Sequence, residues 1–238
     1  MNTNVSRSAL TPEDVRKVSP ALEHYTQNSI EEGLWKRPDL SRRDRSIVTV
    51  SALIARNQTI GMLHYFNVAL DNDVKPGELS EIITHLAFYS GWSNAFSAVA
   101  IAKDIFDQRG IGPDQLSPVS PELLPLNEVA EAARALRVQE DFGQVAPGVV
   151  QYTTELLFRN LWLRPGLAPR ERSLVTVSAL VASGQAAQVT YHLNRAMDNG
   201  LTNKESSEVL TQLAFYAGWP NVFSAIPVVK AVFEKRPQ

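Results

Sequence analysis

One long segment of this chain occurs twice, and that duplication limits its fold more than any other feature. LWKRPDLSRRDRSIVTVSALIA, from Leu34 to Ala55, returns as LWLRPGLAPRERSLVTVSALVA, from Leu161 to Ala182, at an offset of 127 residues. At the same offset, without a gap, LAFYSGWSNAFSA (Leu86 to Ala98) meets LAFYAGWPNVFSA (Leu213 to Ala225). Upstream, Tyr25-Thr26 aligns with Tyr152-Thr153, so each copy begins before its Leu-Trp pair. Roughly half the aligned positions are identical, far above chance, so one structural unit is built twice. Loop signals concentrate in GIGPDQLSPVSPELLP, from Gly110 to Pro125. The expected organisation is a first repeat over 1–109, a linker over 110–125 and a second repeat over 126–238, with LNEVAEAARAL opening the second copy as a short helix.

Each copy reads as helices. Pro169 suits a first helical turn, Glu171 falls in that turn, and the apolar run from Leu174 to Ala182 ends at Gly184. In the first copy Ser41 and Asp44 form an S-x-x-D capping pattern. Val189, Leu193, Ala196 and Met197 make a stripe at three-and-four spacing before Asn199-Gly200 stops it. A third helix starts near Thr202-x-x-Glu205, and a last one is expected from Val222 to Phe233, after Gly218-Trp219-Pro220 breaks the backbone. Sustained strand alternation is absent, and the β-branched run IVTVSALIA is too well capped for a strand. The expected fold class is all-α, a tandem duplication packed as a pseudo-dimer, because a surface once used between identical subunits persists on both copies.

Composition removes whole classes of function. With 23 Lys+Arg against 25 Asp+Glu among 238 residues, the net charge of −2 excludes a polybasic nucleic-acid binder. The 44% hydrophobic content suffices for a substantial core. Without a single cysteine there is no disulfide, thiolate metal site, cysteine nucleophile or C-x-x-C redox pair. No run approaches the roughly 18 apolar residues of a membrane span, and the first residues lack an apolar signal core, so a soluble cytoplasmic protein with no membrane partner is expected.

Differences between matched positions separate scaffold from specialised site. Asp44 stands where the second copy has Glu171, and Tyr65 where it has His192. His192 lies three residues after Val189 and four before Ala196, so it faces inward beside the apolar stripe. Glu171 and His192 on adjacent helices are therefore a candidate proton-transfer pair, the carboxylate setting the imidazole's tautomer and basicity. The bland account is a first-turn Glu favoured by the helix dipole and a buried, hydrogen-bonded His. His64 aligns with Tyr191, and one residue turns a helical side chain by about 100°, so the two histidines have different roles, with His64 a flank or lid contact. Arg170 and Arg172 could hold a substrate carboxylate bidentately, or could simply pair with neighbouring acids. Trp92 and Trp219 follow a glycine break in both copies and suit packing at the seam, with a pocket wall as the other role for Trp219. The four histidines lack H-x-x-x-H or H-E-x-x-H spacing, so no metal site is expected.

These motifs, L-W-x-R-P-x-L-x-x-R-[DE]-R-S-[IL]-V-T-V-S-A-L, the inward His followed by A-x-x-N-G, and L-A-F-Y-A-G-W-P-N, resemble the carboxymuconolactone decarboxylase family over about residues 20 to 106 and 147 to 233. The superfamily also holds alkylhydroperoxidase D-like proteins, whose C-x-x-C falls here on Gln188 and Tyr191, so that thiol peroxidase chemistry is absent. The resemblance implies an alkylhydroperoxidase D-like helical domain, assembly into trimers or hexamers, no organic cofactor, and a family glutamate and histidine on Glu171 and His192. A trimer of two-repeat chains is the oligomer it suggests. It further implies loss of CO2 from a γ-carboxylated unsaturated lactone in aromatic catabolism, the conjugated carbonyl accepting the electrons. His192 would protonate carbon and Arg172 or Arg170 would steady the developing charge. Related cofactorless isomerisation, lactone ring opening, or a non-catalytic small-molecule-binding oligomer are the alternatives.

Overall fold

The computed structural model describes residues 10–236. Its helices are α1 (Pro12–Val18), α2 (Pro20–Tyr25), α3 (Arg42–Ala55), α4 (Thr59–Asp71), α5 (Pro76–Ser90), α6 (Trp92–Arg109), α7 (Glu128–Phe142), α8 (Pro147–Tyr152), α9 (Pro169–Ala182), α10 (Ala186–Asp198), α11 (Asn203–Ala217) and α12 (Trp219–Lys235). Among the described residues there is no strand, and the all-α tandem duplication is borne out. The duplication reaches irregular backbone as well: π-helical segments at Thr26–Glu31 and Thr153–Phe158 each lead into a 3₁₀ turn, Leu34–Lys36 and Leu161–Leu163.

Local chemistry sets most helix ends. Ser41 accepts the Asp44 N–H at 3.0 Å to start α3. Thr202 and Glu205 exchange bonds of 3.1 and 2.8 Å to start α11. The last helix begins three residues earlier than its sequence suggests, at Trp219. Gly218, with φ of 88°, makes the break, and Pro220 then falls in the first turn, where no N–H is needed.

Helices α3 and α9 lie against each other at the centre, with Asp44 to Ile54 and Arg172 to Ala182 all buried. This explains their β-branched, nearly uniform apolar runs: a helix covered on every side shows no amphipathic stripe. Crossing contacts then join the repeats, α5 of the first packing on α9 of the second and α11 on α3. One continuous apolar core, including Ile47, Leu86, Leu174 and Leu213, spans both copies. The segment between α6 and α7 runs over the second copy, where Arg164 donates to the carbonyls of Val119 and Pro118 at 2.9 and 3.0 Å and Leu124 N–H to Leu163 C=O at 2.8 Å. Its residues Leu124 to Leu126 thereby form one wall of a cavity on the second copy.

Candidate functional site

The paired arginines at the starts of α3 and α9 lock the seam. Arg172 has no exposed surface; it donates to Glu81 of the other repeat at 3.1 Å, to the Arg164 carbonyl at 2.8 Å and to His85 Nδ1 at 3.3 Å. Because a guanidinium only donates, His85 Nδ1 accepts, which leaves His85 Nε2–H for Thr176 Oγ1 at 2.7 Å. Burial, and then the Arg172 charge, push His85 well below the ordinary imidazole range. The mirrored cluster uses Arg45, which donates to Glu208 at 2.9 Å and Gln212 Oε1 at 3.0 Å, while Gln212 Nε2–H reaches Thr49 at 3.0 Å. Gln212 reproduces with an amide the acceptor and donor that His85 offers as a neutral ring.

Glu171 belongs to the same seam. Arg170 donates to Asp44 at 3.1 and 3.0 Å and to Glu205 at 2.6 Å, while Arg43 takes Glu78 at 2.5 Å. Glu171 lies 3.5 Å from Arg170 and 3.6 Å from Arg43. Asp44 and Glu171 thus occupy matching places, each beside an arginine of the opposite repeat. No hydrogen bond joins Glu171 to His192 among the described residues; the ion-pair neighbours of the carboxylate are Arg170 and Arg43.

His192 lies in a different environment, built on an aromatic stack. Its ring is 8% exposed, lies parallel to Trp162 at 5.9 Å and meets the edge of Tyr89 at 5.4 Å. Trp162, on the 3₁₀ turn, donates its indole N–H to Tyr89 Oη at 2.9 Å and lies parallel to Phe158 of the π-helical segment at 6.0 Å. Two guanidinium groups cover these rings: Arg195 is 4.2 Å over Trp162 and Arg134 is 4.1 Å over Phe158. Between them opens a cavity of about 230 Å³, bounded by Arg134, Phe158, Trp162, Tyr191, Arg195 and linker residues Leu124 to Leu126.

The electrostatics of this pocket are unbalanced. Arg134 is neutralised by Glu131, at 2.8 and 2.7 Å, yet its remaining terminal nitrogen is buried without a partner. Arg195 has neither an ion pair nor a side-chain hydrogen bond among the described residues, and its Nε is buried without a partner. A buried donor left unmet costs about 1–3 kcal/mol, and more when charged, so such an arrangement suits an incoming anion. His192 does not itself line the cavity but stacks on Trp162, which does; its Nδ1 is buried without a partner among the described residues, and burial followed by the Arg195 charge lowers its pKa to about 4. The ring is neutral at pH 7.

The structure redistributes the other expected residues. Arg172 is sealed in the seam and Arg170 is occupied by three carboxylates, so neither is free to meet a substrate. His64 is exposed on α4. Trp219 is 50% exposed and sits edge-on to Phe215 along an α11–α12 groove whose lining does not include His192; Trp92 is 53% exposed. Tyr65 lies parallel to Trp35 at 6.1 Å and accepts from Tyr216 at 2.7 Å. It is the first repeat's counterpart of His192, and Val68 stands where α10 has Arg195. Sequence reasoning passed over Arg195, although its spacing of three from His192 puts both on one helical face. Arg134 and Tyr89 carry no comparable signal. Among the described residues no group of three His, Cys, Asp or Glu side chains gathers that could hold a metal ion, and no helix is long and apolar enough to cross a membrane.

Comparison with known proteins follows the same duplication. The chain is 32% identical over 101 residues to a 4-carboxymuconolactone decarboxylase of Acinetobacter baylyi, covering 42% of this chain and 73% of that protein. It is 31% identical over 77 residues to a nitrosuccinic acid decarboxylase of Metarhizium robertsii, covering 32% of this chain and about half, 54%, of that one. The carboxymuconolactone decarboxylase family matches residues 20–104 and again 147–231, most of the chain. The chain belongs to that family and carries its unit twice.

Proposed function

We propose that the protein is a cofactor-independent decarboxylase of a small unsaturated carboxylic acid or carboxylated lactone, acting in the second repeat's pocket. The observation that carries this reading is Arg195, a cation without a carboxylate partner among the described residues, lying over Trp162, on which the imidazole of His192 also stacks. Two relatives named as decarboxylases act on small carboxylic acids, in keeping with an anion held there.

In this reading the substrate carboxylate docks on Arg195 and the free nitrogen of Arg134. Its charge offsets that of Arg195, one of the two causes that keep His192 neutral, so binding favours protonation of the imidazole. The bond from carbon to the carboxylate breaks, CO2 leaves, and the electron pair passes through the conjugated system to the carbonyl oxygen. His192 then gives its proton to carbon and recovers one from water. Glu171 braces the seam and takes no part in the transfer.

The test is CO2 release from 4-carboxymuconolactone by the wild type, Arg195→Met and Glu171→Gln. Turnover by the wild type, with KM raised about 10- to 100-fold in Arg195→Met, is the magnitude expected for losing a hydrogen-bonded charge; Glu171→Gln should retain turnover. A wild type inactive on this lactone would overturn the reading. Self-association belongs to the same proposal, supported by the exposed apolar residues Trp92, Phe96 and Val99 on α6 and their counterparts Trp219, Phe223 and Ile226 on α12.

A further inference from the structure

The two Trp–Tyr pairs differ in what the tyrosine does with its own proton. Each phenol oxygen accepts from an indole, Tyr216 from Trp35 at 2.8 Å and Tyr89 from Trp162 at 2.9 Å. An indole N–H can only donate, so each tyrosine still has its hydroxyl proton to give. Tyr216 gives it to Tyr65 Oη at 2.7 Å. Tyr89 gives it to no described residue, because the place of Tyr65 is held by His192, whose shorter side chain carries no oxygen to that point. The imidazole does not substitute for the lost acceptor either: the rings meet edge to face at 5.4 Å and Nδ1 stays unpartnered. The exchange of tyrosine for histidine has thus removed one oxygen atom and left its donor in position.

We propose that a substrate oxygen occupies, in the second repeat, the position that Tyr65 Oη holds in the first, and accepts a hydrogen bond from Tyr89. On the decarboxylase reading, on which this rests, that oxygen is the carbonyl that gathers negative charge as CO2 departs. Tyr89 is then a catalytic residue supplied by the first repeat to a site otherwise built from the second. Its proton is shared and not transferred: burial holds the phenol above its ordinary range, so it remains a donor while the oxyanion forms. The first repeat, in which Tyr65 supplies that oxygen from the protein itself, has no such place for a ligand.

The probe is 4-hydroxy-3-nitrobenzoate, which pairs a carboxylate with a phenol whose ionisation changes its absorbance. Binding and probe ionisation are read for the wild type, Tyr89→Phe and Tyr216→Phe, with circular dichroism confirming the fold of each. Both substitutions deprive an indole N–H of its acceptor, so any purely structural effect is common to them. The expected result is about 10- to 100-fold weaker binding of the ionised probe in Tyr89→Phe alone, the loss of one hydrogen bond to a charged oxygen. Equal affinity in wild type and Tyr89→Phe, equal losses in both variants, or no binding by the wild type would each overturn the assignment. CO2 release from 4-carboxymuconolactone is measured in parallel. A wild type that binds the probe through Tyr89 but releases no CO2 would retire the decarboxylase reading and leave the hydrogen bond standing.

Discussion

The first and second repeats set a tryptophan, a tyrosine from the opposite repeat and one further ring in the same relation, and they differ in that ring and its surroundings. Around Trp35 the third ring is Tyr65, which closes a chain of hydrogen bonds from indole to Tyr216 to Tyr65. Around Trp162 it is His192, which ends the chain early and leaves Nδ1 unmet. One face of α10 then adds Arg195 where α4 has Val68, and the π-helical segment offers Phe158 where the first copy has Glu31. One copy satisfies these polar groups internally, and the other leaves His192 Nδ1 and the Tyr89 hydroxyl proton without a partner among the described residues.

The sharpest way to break this comparison is to remove each third ring. His192→Ala should lower CO2 release by about 10²- to 10⁴-fold, the usual worth of a positioned proton donor, whereas Tyr65→Phe should leave turnover within about twofold, a change too small to implicate a catalytic group. Equal losses from the two would show that the halves share the chemistry. The seam offers the opposite expectation, symmetry. Arg172→Met and Arg45→Met each take a buried charged donor from Glu81 or Glu208, which keep Arg164 and Arg37 as partners, and each should cost about 1.5–3 kcal/mol in urea unfolding. A cost confined to one half would mean that only one cluster holds the repeats together.

The smallest effect concerns pH. His85 and His192 both have native pKa values below the unfolded value near 6.5, so the unfolded chain takes up protons that the native state refuses. Their contribution is complete above about pH 6.5 and is lost as pH falls, for His192 through about 4. His85→Gln copies the residue that already does this work in the mirrored cluster, Gln212. Denaturant melts should therefore show stability near the wild type at pH 7 and a shallower decline between pH 6.5 and 4. An unchanged decline would mean that His85 does not titrate on unfolding as its environment requires.

Much of the fold was legible in the chain. The offset of 127 residues located both units, Ser41 and Thr202 announced their helix starts, and the stripe of Val189, Leu193 and Ala196 oriented His192 inward. The start of α12 was misplaced because Pro220 breaks a helix at most positions and opens one at the first turn. The site was harder to see. Glu171 and His192 are adjacent in motif order, but spacing along one chain says nothing about which arginines from the other repeat reach a carboxylate first. Arg172 looked like a substrate ligand for the same reason, and proved to have no exposed surface at all.

The sequence by itself determined that this chain is two copies of one helical unit, that it carries no cysteine, and that the second copy alone has a histidine at the inward position. Those conclusions need only residue identity, periodicity and offset. Tertiary structure alone decided which charges remain without partners, because an arginine's role depends on its nearest carboxylate in space. Arg170 and Arg172 meet theirs across the seam, and Arg195, lying over Trp162, meets none among the described residues. It also brought Tyr89, more than a hundred residues from His192 in the chain, to within a ring's width of it.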